Sequence, residues 1–174
     1  MRIPVFVSCP TVLSKSQQAS RSLILRELAR QGLEPRALGR SDYPTDLPLR
    51  EVLVIARHCS GGVILGFEQF SANSGTWKRG TREQKKLKKA TAFPSSWNHL
   101  EAGVLFGLGI PLLVFKEPDI SGGVFDSGVT DVFVHTMPTL RTSKQNKIGL
   151  IEVFRKWQGR VRDRYYFESE RREA

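Results

Sequence analysis

The sequence contains no apolar run that approaches the length of a membrane span, and it therefore predicts no transmembrane helix. The opening stretch, MRIPVFVSCP, is too short and too strand-like for a secretory signal peptide. We therefore expect a cytoplasmic protein without a membrane partner.

Cysteine and histidine are both scarce. The chain has two cysteines, Cys9 and Cys59, and no CxxC motif. Both cysteines fall at the ends of predicted strands, and we interpret them as buried thiols rather than as a disulfide or a metal pair. The three histidines are scattered without the spacing of metal ligands, so the sequence predicts no metal site.

Glycine-rich phosphate-binding motifs are also missing. The first predicted strand is not followed by GxGxxG, and the chain contains no P-loop. The sequence therefore argues against a standard dinucleotide dehydrogenase and against a P-loop NTPase.

Acidic residues are outnumbered, with 17 Asp and Glu against 27 Lys and Arg, which leaves a net charge of +10. Residues 78–89 hold seven cations against the single acid Glu83. A basic loop of this kind attracts nucleotides or nucleic acids through its long-range field. The alternative is a solvated loop that only keeps the protein soluble. The candidate anion-binding residues are Lys85, Lys86, Lys88 and Lys89.

At 174 residues the chain is long enough for one domain with a substantial core. Strand-like apolar runs alternate with helical patterns, which predicts an α/β fold: a flavodoxin-like three-layer sandwich around a central, mainly parallel five-stranded sheet. We assign the domain to residues 1–166, with a long basic loop at 71–93, and the charged C-terminal tail to residues 167–174.

Three apolar runs are predicted to lie side by side at the centre of this sheet, because strands covered on both faces are apolar throughout. They are Val5–Val7, Val63–Leu65 and Leu112–Val114. The second predicted strand contains Pro35, which has no N–H to donate, so we expect this strand at an edge of the sheet. Within the basic loop, the spacing allows a short surface helix over residues 84–90.

The segment Pro94–Phe115 is predicted to be a helix that leads directly into a buried strand. Leu100, Val104 and Leu108 recur at helical spacing and are expected to form its apolar face. Glu101 is an acid on an otherwise apolar helix. In a parallel sheet each helix begins near the carboxyl ends of the strands, where ligands bind. Glu101 is therefore a candidate catalytic carboxylate, the alternative being a solvated or capping glutamate.

Two short motifs carry a resemblance to known families. The segment Ser95–Glu101, SSWNHLE, resembles the S-x-W-C-x-x-E segment of Toll/interleukin-1 receptor (TIR) domains, with Asn98 where that family usually has cysteine. The opening Val5–Ser8, VFVS, is similar to the start of the same family. The continuation from Glu101 through Pro111 instead resembles nucleoside 2-deoxyribosyltransferases, whose nucleophilic glutamate lies on a helix that leads into a strand.

Both resemblances imply a flavodoxin-like sheet and cleavage of an N-glycosidic bond. They imply an N-glycosidase that hydrolyses or transfers the ribose–base bond of NAD or a related nucleotide, with Glu101 as the catalytic residue. NAD or the nucleotide would then be the substrate, and no cofactor is expected. The alternatives are a non-catalytic nucleotide-sensing or TIR-type interaction module and a nucleic-acid-binding accessory protein that uses the basic loop. The sequence leaves open whether the protein forms a homo-oligomer.

The chemistry of ribose–base cleavage indicates which further residues could bind the substrate. The bond breaks through an oxocarbenium-like state, which a nearby carboxylate can stabilise or trap. Polar groups after the first strand could hold ribose or phosphate, and aromatic rings could stack on a base. The candidate substrate-binding residues are Ser8, Cys9, Thr11, Phe67, Trp97, Asn98 and Asp126.

Overall fold

The computed structural model of the protein describes residues 2–38, 47–130 and 132–173. A polar loop predicted from the sequence over residues 39–44 lies outside these ranges. In chain order the elements are β1 (Ile3–Ser8), α1 (Lys15–Arg30), β2 (Leu33–Arg36), α2 (Pro48–Arg57), β3 (Gly61–Gly66), β4 (Phe70–Ala72), β5 (Thr76–Trp77), β6 (Lys85–Lys86), β7 (Thr91–Phe93), α3 (Ser96–Gly107), β8 (Leu112–Lys116), a 3-10 helix (Gly123–Phe125), β9 (Val134–Thr136) and α4 (Lys144–Glu173).

The central sheet has five parallel strands in the order β2-β1-β3-β8-β9, which confirms the predicted flavodoxin-like α/β fold. Val7 lies opposite Val63, and Val63 lies opposite Leu113, so the three predicted apolar runs are adjacent at the centre. All six residues of β3 are buried, because strands and helices cover it on every side. The strand that contains Pro35 lies at an edge, as its missing N–H requires.

Alternate residues of each strand face opposite layers of helices and form two hydrophobic clusters. On one face Val63 and Leu65 pack with residues of α1 and α4, among them Leu28 and Phe154. On the other face Ile64 packs with residues of α2 and α3. Cys9 borders the first cluster and Cys59 belongs to the second, and within the described residues neither cysteine forms a disulfide.

The boundaries of the helices follow local chemistry. Ser14 caps α1 through a capping box with Gln17, in which each side chain bonds the other residue's backbone N–H. Ser95 caps α3, and its hydroxyl accepts a hydrogen bond from the N–H of Trp97 at 3.2 Å. Helix α4 continues to Glu173, so residues 167–173 of the predicted charged tail are helical.

The predicted apolar face of α3 is wrong, since Leu100 is 49% exposed and Val104 is only half-buried. The buried stripe is instead Asn98, Glu101, Ala102 and Leu105, which has the spacing i, i+3, i+4, i+7. Most of this helix is apolar on every side, so hydrophobic periodicity alone could not choose the inward face. Contact with β1 and β3 turns the two polar residues inward.

The segment between β3 and α3 is folded. Strands β4 and β7 pair antiparallel, and β5 and β6 form a second antiparallel pair beyond them. We call residues 70–93 the hairpin segment. The predicted short helix over residues 84–90 is wrong, because Lys85 and Lys86 form strand β6. Across the described residues no helix is both long enough and apolar enough to span a membrane.

Candidate active site

A cleft of about 450 Å³ opens at the carboxyl ends of the central strands, between the turn after β1 and the start of α3. This is the edge at which open parallel sheets bind ligands. The cleft is lined by Cys9, Pro10, Thr11, Val12, Leu38, Pro48, Gln69, Ser95, Trp97, Asn98 and Glu101. Its volume lies within the usual range for a small-molecule site.

Glu101 lies at the inner wall of this cleft and is only 9% exposed. The Ser8 hydroxyl hydrogen-bonds the Glu101 carboxyl group. The Ser8 oxygen in turn accepts a hydrogen bond from Nδ2 of Asn98 at 2.7 Å. The three side chains therefore form a chain of hydrogen bonds that fixes the position of the carboxyl group.

The environment of Glu101 changes its acidity. Burial disfavours the charged form and raises the pKa of Glu101 from 4.5 to about 7, while the hydrogen bond from Ser8 acts in the opposite direction. Glu101 therefore keeps its proton to a higher pH than an ordinary carboxyl group does. A carboxyl group with a pKa near the working pH and a place in a cleft is typical of a functional site.

Asn98 has an acceptor without a partner. Its side chain is 1% exposed, and among the described residues no donor reaches its Oδ1 atom within hydrogen-bonding distance. A buried polar atom in this state is costly unless something else satisfies it. Because Asn98 also lines the cleft, a bound molecule with a hydroxyl or N–H donor could satisfy it.

The cleft brings together most of the site residues predicted from sequence. Cys9, Thr11, Trp97 and Asn98 line it with Glu101, and Ser8 lies directly behind. Trp97 is 42% exposed, so part of its ring is available at the cleft wall. Their roles in binding remain predictions.

Two of the predicted substrate-binding residues lie elsewhere. Phe67 has no exposed surface and belongs to the core cluster beneath α1 and α4, so its ring offers no face to a base. Asp126 is exposed directly after the 3-10 helix, and its Oδ1 accepts the N–H of Gly122, the residue directly before that helix, at 2.8 Å. Neither residue lines the described cleft.

The predicted anion-binding lysines also lie outside the cleft. Lys85, Lys86, Lys88 and Lys89 are all exposed on the hairpin segment. The hairpin segment is nevertheless joined to the cleft at its base, because Gln69 lines the cleft and donates its N–H to the carbonyl of Phe93 at 2.9 Å.

His99 lies on the same helix as Glu101 but contacts a different region. Its ring packs edge-on against Phe125 with centroids 5.5 Å apart. Burial lowers the pKa of His99, and the nearby Asp126 carboxylate partly opposes that effect. His99 therefore belongs to the contact between α3 and the 3-10 helix.

Sequence reasoning missed two polar residues at the same edge of the sheet. Gln69 lines the cleft, three residues after β3 ends. Glu117 follows β8 directly, and its Oε2 accepts hydrogen bonds from the N–H of Glu68 at 2.6 Å and from Nε2 of Gln17 at 3.1 Å. Their place just after buried parallel strands was the signal that could have identified both.

Within the described part of the chain, no group of three or more His, Cys, Asp or Glu side chains is placed to hold a metal ion. No protein-family model matches this chain, and a search of curated proteins finds no match to it.

Proposed function

We propose that this protein cleaves or transfers the N-glycosidic bond between the ribose and the base of NAD or a related nucleotide, with Glu101 as the catalytic carboxylate. The observation that carries the proposal is the buried Glu101 in a cleft at the carboxyl edge of a parallel sheet, held by Ser8 and Asn98. The TIR-like spacing of Ser95, Trp97 and Glu101 supports it.

NAD suits a site that offers one well-placed carboxylate. The nicotinamide ring is positively charged in NAD, so it leaves as a neutral base with the electron pair of the C1′–N1 bond and needs no proton. Positive charge then develops on the ribose ring. The Glu101 carboxylate can stabilise that charge or bond to C1′, and water or another nucleophile then takes its place at C1′.

The surrounding residues suit the rest of the substrate. The Oδ1 atom of Asn98 can accept a hydrogen bond from a ribose hydroxyl, which would satisfy this buried acceptor. The exposed part of Trp97 offers a surface on which a base or nicotinamide ring can stack. Both contacts would place the C1′ atom beside Glu101, and positioning of this kind accounts for much of enzymatic rate enhancement.

The first test is an incubation of the wild-type protein with NAD and, separately, with nucleoside monophosphates, followed by chromatography of the products. We expect free nicotinamide together with ADP-ribose or a transferred product. Absence of turnover on every nucleotide would overturn the enzymatic proposal. A nucleotide that binds without turnover would then identify the non-catalytic nucleotide sensor.

The second test compares Glu101→Gln with Glu68→Gln, which changes an exposed carboxylate near the same sheet edge. Glutamine keeps the size of the side chain but cannot stabilise positive charge, so Glu101→Gln should lower kcat by about a hundredfold or more. NAD affinity should change little, and Glu68→Gln should behave like wild type. Equal losses in both variants would show that Glu101 has no special role.

A further inference from the structure

The hairpin segment carries a row of three aromatic rings, of which the two outer ones are exposed. Phe70 and Phe93 are partners across β4 and β7, with ring centroids 6.1 Å apart. The Trp77 ring lies 5.9 Å from that of Phe93 and extends the row onto the second pair of strands. Phe70 is 64% exposed and Trp77 is 51% exposed, whereas Phe93 between them is half-buried. Large apolar rings left in water on either side of a third ring are typical of a binding surface.

The hairpin segment that carries this row is rich in positive charge. Lys85 lies directly opposite Trp77 in the β5–β6 pair, and paired residues share one face of a sheet. Six further cations occur between residues 78 and 89, and all of them are exposed. The single acid in this stretch, Glu83, forms an ion pair with Lys78 and leaves the other cations in excess. The surface therefore combines flat apolar rings with a strongly positive field.

We propose that this face of the hairpin segment binds single-stranded nucleic acid. Unpaired bases stack on exposed aromatic rings, and lysine and arginine side chains contact the phosphates; this combination is how sequence-tolerant single-strand binders work. The paired bases of a duplex hide their flat faces, so the ring row favours single strands over duplexes. The proposed binding surface lies within residues 70–93, which do not include Glu101, so nucleic-acid binding there is independent of any reaction at Glu101.

The first test measures fluorescence anisotropy of a labelled oligothymidylate of about 12 nucleotides, a length within the usual footprint of a single-strand site. We expect binding that weakens steeply as salt increases, because phosphate contacts release counterions. The same strand in a duplex should bind more weakly. Failure to bind the single strand even at low salt would overturn the proposal, as would binding to phosphatidylserine vesicles with no affinity for the oligonucleotide.

The second test separates stacking from charge. Trp77→Ala should weaken binding of the single strand by roughly tenfold, the usual scale for loss of one stacked base. Tyr166→Ala is the matched control, because Tyr166 is 60% exposed on the distal part of α4. That part of α4 lies at the amino ends of the strands, where Arg164 contacts the carbonyl of Gly109 just before β8. Unchanged affinity in Trp77→Ala would mean that charge alone attracts the strand and would overturn the stacking model.

The third test removes one charge from each of two places. Lys85→Gln should reduce the slope of log affinity against log salt by about 0.7, the usual loss for one contact with a single strand, because Lys85 shares the face of Trp77. The control, Lys144→Gln, removes the same charge from an exposed position at the start of α4. Equal slopes for the two variants would overturn the assignment of the hairpin segment. Glu101→Gln should bind the strand like wild type, which keeps this result independent of catalysis.

Discussion

At the scale of single residues, Glu101 is unusual because an ionisable group is buried in a wall that is otherwise largely apolar. Burial alone would favour the neutral acid, whereas the proposed chemistry requires the carboxylate. The Ser8 hydroxyl stabilises the charged form and keeps the pKa near 7. The same side chain can therefore ionise under ordinary conditions although it is buried, where its charge has a greater effect than in water.

The first prediction concerns the pH dependence of turnover. Since the active form is the carboxylate, kcat/KM for NAD should rise with pH through about 7 and then level off. Below pH 7 the rise should approach tenfold per pH unit, as for a single ionisation. The measurement is initial rates from about pH 5 to about pH 9. A rate that falls through this range would mean that Glu101 acts as a proton donor instead.

The second prediction concerns stability. Because the folded protein holds the Glu101 proton more tightly than the unfolded chain, this group's stabilising contribution is full below about pH 4.5 and is lost as the pH rises through about 7. The loss is on the order of 3 kcal/mol. Glu101→Gln has no carboxyl group to ionise and therefore does not suffer this loss of stability. The melting temperature of the variant should exceed that of wild type at about pH 8.5, and the difference should shrink towards about pH 5.

Thermal unfolding followed by circular dichroism measures this difference. Glu68→Gln serves as the control, because it makes the same substitution at an exposed position near the same sheet edge. If Glu101→Gln melts below wild type throughout the range, the carboxylate is a structural partner of Ser8 and the site assignment fails.

At the scale of secondary-structure elements, β3 depends on glycine to pack against its neighbours. A β-carbon at Gly66 would lie 2.5 Å from Cε1 of Phe125, and one at Gly61 would lie 2.6 Å from Cγ2 of Val161. Phe125 and Val161 are fully buried and have little room to move. The missing side chains of β3 therefore let the 3-10 helix and α4 approach the sheet closely, one on each face.

The third prediction follows from this packing. Gly66→Ala should lower the free energy of unfolding by about 1 to 3 kcal/mol, the usual cost of overpacking a core. Gly103→Ala, on the exposed side of α3 with no atom nearby, should instead raise it by about 0.5 to 1 kcal/mol, because alanine favours the helix. Chemical denaturation measures both. Equal effects of the two variants would show that the close contact with Phe125 is unimportant.

At the scale of the whole molecule, the protein combines a densely packed sheet with a surface extension. The sheet is covered on both faces, whereas every residue of β5 and β6 is exposed and each strand has only two residues. The cleft lies at the junction of these two parts, where the base of the hairpin segment meets the turn after β1. We expect the two parts to differ strongly in local stability.

The fourth prediction tests that difference by hydrogen exchange. Backbone amides of β3 should exchange only through global unfolding, since every residue of the strand is buried. Amides of β5 and β6 should exchange many times faster, through local opening. Mass spectrometry of peptic fragments distinguishes the two regions. Equally slow exchange in both would mean that the hairpin segment forms one cooperative unit with the sheet.

Much of the fold was predictable because it depends on patterns that are local in the chain. Apolar runs separated by helical periodicity predict covered parallel strands, and Pro35 marks an edge strand through a missing N–H. Glu101 could be identified as a candidate catalytic residue in the same way, because few structural roles account for a lone acid on an apolar helix that comes after a parallel strand. None of these inferences requires knowledge of which distant residues touch.

Only the tertiary structure decided the features that depend on contacts between distant segments. The inward face of α3 is set by the hydrogen bond between Asn98 and Ser8, 90 residues apart, which hydrophobic periodicity does not register. Phe67 looked available for stacking until the packing of α1 and α4 buried it. The ring row of the hairpin segment exists because strand pairing places Phe70 opposite Phe93 and because the Trp77 ring of the second strand pair lies beside the same Phe93 ring. The sequence by itself therefore determined the sheet and its candidate acid, whereas long-range packing decided which side chains meet around them.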